Sequence, residues 1–140
     1  MNVVNNTILI VEDEVITALD LKFKLEDLGY EVIDTVATGQ DAIDVAAEHC
    51  PDLTIMDIKL KGDMNGIEAA EKIIALDLPV IYLTANTDDY TFLKSVKSTA
   101  AYAFVEKPFN INALKNAIES AISRSKVEVE KRNLAHGFSE

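Results

Sequence analysis

With 140 residues, 49% of them hydrophobic and 26% charged, the chain can build one domain with a sizeable core and not two ordinary ones. Twenty-four acidic residues against 13 basic ones give a formal charge of −11, which disfavours nonspecific binding to nucleic acid or to an anionic membrane but leaves a basic protein partner open. The single cysteine, Cys50, excludes an internal disulfide. Its HCP context has no spaced second Cys or His for zinc, so it reads as a small half-buried residue at a helix end. The opening MNVVNNT lacks the basic and apolar regions of a signal peptide, and no window holds 18 uninterrupted apolar residues. The expected location is the cytosol.

In chain order, short apolar runs alternate with helical patterns five times. TILIV (Thr7–Val11) is β-branched and continuous, as a strand buried on both faces would be. Val15 to Leu28 places Ile16, Leu19, Phe23 and Leu28 at helical spacing, with Gly29 as the stop. EVIDTVA (Glu31–Ala37) alternates more and predicts an edge strand. Thr38 or Gly39 opens a second helix through Ala42, Ile43, Ala46 and Ala47. Pro51 precedes a third strand, Leu53–Asp57, and the loop KLKGDMNG carries turn signals.

A third helix follows through Ile67, Ala70, Ile73 and Ile74. Pro79 precedes a fourth strand, Val80–Thr84. Asp88–Lys97 reads as a fourth helix, Ala101–Glu106 as a fifth strand, and Pro108 with Asn110 introduces a fifth helix through Ile111, Leu114, Ile118 and Ile122. Strands alternating with helices predict an α/β fold, a doubly wound parallel sheet with helices on both faces. The compact domain is expected over 1–126, with 127–140 as a polar tail, helix extension or linker.

In such a sheet, ligands sit at the C-terminal ends of the strands, where the winding reverses. There the apolar third strand TIMD ends on Asp57, a group that is costly to bury alone. The first strand ends in Glu12 and Asp13, the fourth in Thr84, followed two residues on by Asn86, and the fifth runs into Lys107. Carboxylates gathered in one pocket repel one another and take up protons unless a cation is bound. An oxygen-only donor set with few protein ligands suits Mg2+. The Thr84 hydroxyl and the Lys107 ammonium add donors for phosphoryl oxygens. Asp57 then reads as a nucleophile, since carboxylates accept phosphoryl groups in covalent catalysis.

The pieces ILIVEDE, PDLTIMDIKL, GIEAA, VIYLTA and FVEKPF, in this order and spacing, resemble the receiver domains of bacterial two-component response regulators. The resemblance covers roughly residues 7 to 125 and implies a flavodoxin-like five-stranded sheet of strand order 2-1-3-4-5. It implies that Asp57 is the phospho-acceptor, and that Asp13, Asp57, the Lys59 backbone carbonyl and, through water, Glu12 hold Mg2+. It further implies that Thr84 is the switch hydroxyl, Phe104 the switch aromatic, Lys107 a phosphate contact and Lys107–Pro108 a cis peptide. Lys59 and Asn86 stand where the family tunes phosphate lifetime. Two positions depart from the common pattern: Glu12 stands where a second aspartate is frequent, and the loop KLKGDMNG replaces the frequent LPGMDG.

The implied function is signalling through protein contact. A sensor histidine kinase or phosphotransfer protein supplies the phosphoryl group, and a downstream protein or output domain reads the changed face. A homodimer through the fourth helix, fifth strand and fifth helix is a further expectation, with no nucleic-acid or membrane binding by this domain. An aspartyl-intermediate phosphatase would place a second aspartate two residues after Asp57, but Lys59 stands there. A constitutive interaction module would have no need of the five pocket residues. His49 and His136 fall outside the pocket pattern and read as surface residues. The sequence fits equally a stand-alone regulator and a piece of a longer one.

Overall fold

A computed structural model describes residues 6–60, 62–84, 103–107 and 110–137. The expected helix over Asp88–Lys97, Asn86 and Pro108 lie outside the described residues, as do the side chains of Phe104 and His136. The strands are β1 (Thr7–Val11), β2 (Glu31–Val36), β3 (Leu53–Asp57), β4 (Val80–Thr84) and β5 (Ala103–Glu106). The described helices are α1 (Val15–Asp27), α2 (Gly39–His49), α3 (Gly66–Ile74) and α4 (Ile111–Gly137). All strand pairs are parallel, in the order β2-β1-β3-β4-β5.

The sequence makes this sheet because its central strands are apolar on both faces. β3 and β4 are buried along their whole length, and β1 along all but its first residue. β2 is half-buried at best, which fits its edge position. Alternate side chains feed two separate cores. Ile8, Ile10, Leu53, Ile55, Ile81 and Leu83 pack against Leu21 and Leu25 of α1 and Leu114 and Ile118 of α4. Leu9, Val11, Met56, Val80 and Tyr82 pack against Ala42 and Ala46 of α2 and Ile67, Ala70 and Ile73 of α3.

The helix ends follow local chemistry. After α1, Gly29 at φ +95° takes the left-handed turn, with its N–H on the Glu26 carbonyl and the Tyr30 N–H on the Leu25 carbonyl. That pair of bonds is the Schellman stop for which glycine is best suited. The Thr38 hydroxyl caps α2 by accepting from the Asp41 N–H at 3.2 Å. Asn65 and Glu68 form a reciprocal capping box at the start of α3. The Asn110 carboxamide oxygen accepts from the Asn112 and Ala113 N–H groups and opens α4. α4 runs for 27 residues, about 40 Å at 1.5 Å per residue, and thus continues past 127.

Two expectations are corrected. Helix α1 buries Ala18, Leu21 and Leu25, not the set Ile16, Leu19 and Phe23. Ile16 is 83% exposed and Phe23 59%, and Val15 and Leu19 are exposed beside them. Both sets have spacings of three and four, and they lie about 200° apart around a helix of 3.6 residues per turn. Only one can face the sheet. The set Ala18, Leu21, Leu25, with half-buried Leu28, also carries the helix into its Schellman stop. Cys50 is exposed rather than half-buried; it ends α2 in the left-handed conformation at φ +46°.

Candidate functional site

The register of the sheet brings the strand ends together. Val11 pairs with Met56, so Glu12 and Asp57 follow side by side; Asp57 pairs with Leu83, and Thr84 with Glu106. The Lys107 N–H then bonds the Thr84 carbonyl at 2.8 Å, which places Lys107 over the same edge. Glu12, Asp57 and Thr84 are 3%, 6% and 1% exposed, and Asp13 is half-buried. One carboxylate oxygen from each of Glu12, Asp13 and Asp57 lies within 4.8 Å of the others.

Lys107 Nζ lies 2.5 Å from Glu12 Oε1 and 3.6 Å from Asp57 Oδ2. Asp57 Oδ1 also accepts from the Lys59 N–H at 3.2 Å, and Glu12 Oε2 from the Glu14 N–H at 3.3 Å. The Lys107 ammonium is thus shared between two of the carboxylates. Burial, then the adjoining Glu12 carboxylate, pushes the Asp57 carboxyl up to about 7, against the opposing pull of Lys107 and the Lys59 N–H. Burial also works to raise Glu12, but hydrogen bonds to Asp57 and Lys107, with the Lys107 charge, overcome it and lower its pKa. Burial likewise works to lower Lys107, but Glu12 and Asp57 raise it on balance.

The donor set fits a hard divalent cation. Three carboxylate oxygens converge, no sulfur or imidazole is among them, and the repulsion between neighbouring carboxylates is what such an ion offsets. The Thr84 hydroxyl oxygen is buried without a hydrogen-bond partner among the described residues. A buried hydroxyl with nothing to bond is costly, and an oxygen-rich ligand in this pocket would supply its acceptor. Among the sequence-expected residues, the structure brings together Glu12, Asp13, Asp57, Thr84 and Lys107. The Lys59 side chain is exposed, while its N–H lies at the site. Phe104 lies in β5, beside Tyr82 in the ladder.

Two features of the site escaped the sequence reading. One is the outward apolar stripe of α1, which begins at Val15, two residues after Asp13. Its only signal was a second set of apolar residues with the same periodicity as the buried one. The other is Gly66, packed against the backbone of Asp57. The sequence marks Asn65-Gly66 as a turn and Gly66 as the start of GIEAA, and neither signal shows this contact.

The chain matches the response regulator receiver domain family over residues 8–119. It is 38% identical over 118 residues to the transcriptional regulatory protein PdtaR of Mycobacterium tuberculosis, a match covering 84% of this chain and 57% of that protein. It is 37% identical over 118 residues to the response regulator ArlR of Staphylococcus aureus, covering 84% of this chain and 52% of that one. The chain thus spans about half the length of these curated relatives.

Among solved structures, the signal receiver domain of a modulated diguanylate cyclase from Desulfovibrio desulfuricans G20 superposes with a TM-score of 0.82 at 34% identity, covering 89% of this chain and 99% of that one. The receiver domain of the sensor histidine kinase PA1611 from Pseudomonas aeruginosa PAO1, which holds a magnesium ion coordinated in its active site cleft, superposes with a TM-score of 0.73 at 28% identity, covering 86% and 99%. The chain belongs to the receiver domain family of two-component response regulators.

Proposed function

We propose that this receiver works as a switch set by phosphorylation of Asp57, with a sensor histidine kinase or phosphotransfer protein as the donor. The observation that carries the reading is the convergence of Asp57 with Glu12, Asp13 and Lys107, beside a buried Thr84 hydroxyl without a partner among the described residues. The residues that would hold Mg2+ are Asp13, Asp57, the Lys59 carbonyl and, through water, Glu12. When bound, the ion offsets carboxylate charge and that of the phosphoryl oxygens.

The rest belongs to the chain. An Asp57 carboxylate oxygen forms the new P–O bond as the P–N bond of a phosphohistidine breaks, and the electron pair of that bond returns to the histidine nitrogen. Lys107, held between Glu12 and Asp57, has the reach to turn to a phosphoryl oxygen. Thr84 donates its hydroxyl to another. Phe104 then turns into the space that Thr84 leaves, and the face carrying β5 and α4 changes shape. A downstream protein, an output domain or a second copy reads that face. Lys59, two residues after Asp57, and Asn86, two residues after Thr84 in the sequence, set how long the phosphate lasts. The chemistry is confined to the chain's own phosphoryl transfer and slow self-dephosphorylation.

The α1 stripe Val15, Ile16, Leu19 and Phe23 supplies the donor's docking surface. It starts at the pocket, and whatever delivers a phosphoryl group to Asp57 must lie across that end of the helix. The receiver unit ends near 126, and the continuing α4 serves as a linker. No described helix is long and apolar enough to cross a membrane, and we place the domain in the cytoplasm with its donor.

The test is intact mass after incubation with Mg2+ and acetyl phosphate. The wild type should gain one labile phosphoryl group, and Asp57→Asn none. No gain on the wild type, together with no Mg2+ binding, overturns the reading.

A further inference from the structure

Helix α3 starts hard against the strand that carries Asp57. Gly66, its first residue, is buried, and its N–H donates to the Ile58 carbonyl at 3.0 Å. A Cβ at Gly66 would stand 2.0 Å from the Asp57 carbonyl oxygen, and 2.9 Å from both the Asp57 carbonyl carbon and Ile58 Cα. These are backbone atoms, and no rotamer change moves them aside. The other close glycine differs in kind. A Cβ at Gly39 would meet the Ala69 Cβ and the Met64 sulfur at 3.1 Å, and Met64 is a flexible side chain that can give.

We propose that Gly66 is a positioning residue for Asp57: its missing side chain lets α3 seat against the end of β3 and fixes where the carboxylate stands. The inference rests on Asp57 as the phospho-acceptor. Relieving a 2.0 Å contact takes a shift of about 1 Å to reach the closest approach that real Cβ atoms show. Two parts could move. The start of α3 is held by the Asn65–Glu68 capping box and by buried Ile67, Ala69, Ala70 and Ile73. The end of β3 is held less firmly, because the Ile58 N–H reaches the Leu83 carbonyl only at 3.4 Å. The strand end therefore yields, and the carboxylate moves with it. Asp57 then leaves its convergence with Glu12 and Asp13, and its Oδ1 leaves the Lys59 N–H.

The experiment compares the wild-type chain, Gly66→Ala and Gly39→Ala. Each is followed by thermal melt, by calorimetric Mg2+ titration and by the rate of mass gain with acetyl phosphate. Both variants should melt lower. Only Gly66→Ala should lose phosphorylation rate, by roughly 100-fold as a misplacement of about 1 Å can cost. It should also lose about tenfold in Mg2+ affinity, as outer contacts of a metal site do.

A folded Gly66→Ala with the wild-type rate and Mg2+ affinity overturns the proposal, and so does an equal loss in Gly39→Ala. Wild type that takes up no phosphoryl group fails the acceptor reading instead, and the Mg2+ titration still decides for or against Gly66. Should Gly66→Ala not fold, amide resonances of the wild type decide. With Mg2+, the Gly66 amide should shift with those of Asp57 and Ile58 at one midpoint while Gly39 stays fixed; a silent Gly66 amide overturns the proposal.

Discussion

Replacing Asp57 by asparagine should stabilise the metal-free protein at neutral pH and above. Asp57 is 6% exposed and sits beside Glu12 with one shared cation, so ionising it inside the fold is unfavourable. Its carboxyl is raised from 3.8 to about 7. Roughly three pK units at 1.36 kcal/mol each give an upper value of about 4 kcal/mol. Glu12 moves the other way and returns part of this, so the expected net gain at about pH 8 lies below that upper value.

The sign follows from proton uptake. Between the ordinary and the raised pKa the folded state binds more protons than the unfolded one, so wild-type stability falls as pH rises through this window. The advantage of Asp57→Asn should therefore be largest above pH 7 and fade towards pH 4, where the carboxyl is protonated in both states. Urea denaturation in EDTA across this range measures it. An Asp57→Asn protein that is no more stable than wild type at pH 8, or an advantage that grows as pH falls, would refute the electrostatic account of the pocket.

Four further outcomes are expected. Thr84→Val removes a hydroxyl that has no partner among the described residues; it should change stability by less than about 1 kcal/mol in either direction while abolishing the phosphorylation-dependent change of the output face, read by amide shifts. Lys107→Ala leaves the Glu12 carboxylate buried without its cation; in EDTA it should cost about 1–3 kcal/mol, as a buried group left unpaired does, and the stabilisation gained from Mg2+ should be larger than in wild type. Leu25→Ala on the buried face of α1 should cost about 2–5 kcal/mol, whereas Phe23→Ala on the exposed face should cost under about 0.5 kcal/mol by denaturant titration. Phe23→Ala and Ile16→Ala should slow transfer from a phosphohistidine donor and leave the acetyl phosphate rate unchanged; equal slowing of both would remove the docking role of α1.

The fold was legible because the signals were redundant. TILIV, LTIMD and VIYLT can only be buried strands in a sheet covered on both faces, and β2 declared its edge position by alternating. The pocket was legible because a strand has one place to end: each of Glu12, Asp57 and Thr84 stands where its apolar run stops. The face of α1 was not legible. Two apolar sets of identical spacing compete, and which one meets the sheet depends on tertiary packing rather than on periodicity.

The partner of Lys107 was equally hidden. The longer glutamate at position 12 meets the ammonium more closely than Asp57 does, a matter of side-chain reach across 95 residues of sequence. Gly66 was hidden for a related reason: its neighbour, the Asp57 carbonyl, is backbone and leaves no trace in residue type.

The most direct test of the central claim is to locate the phosphoryl group. The wild type is incubated with Mg2+ and acetyl phosphate, reduced with borohydride to convert any acyl phosphate into a stable alcohol, and sequenced by mass spectrometry. The account predicts the reduced residue at position 57 alone, present with Mg2+ and absent with EDTA. A reduced residue at Glu12 or Asp13, or none at any position, would contradict it.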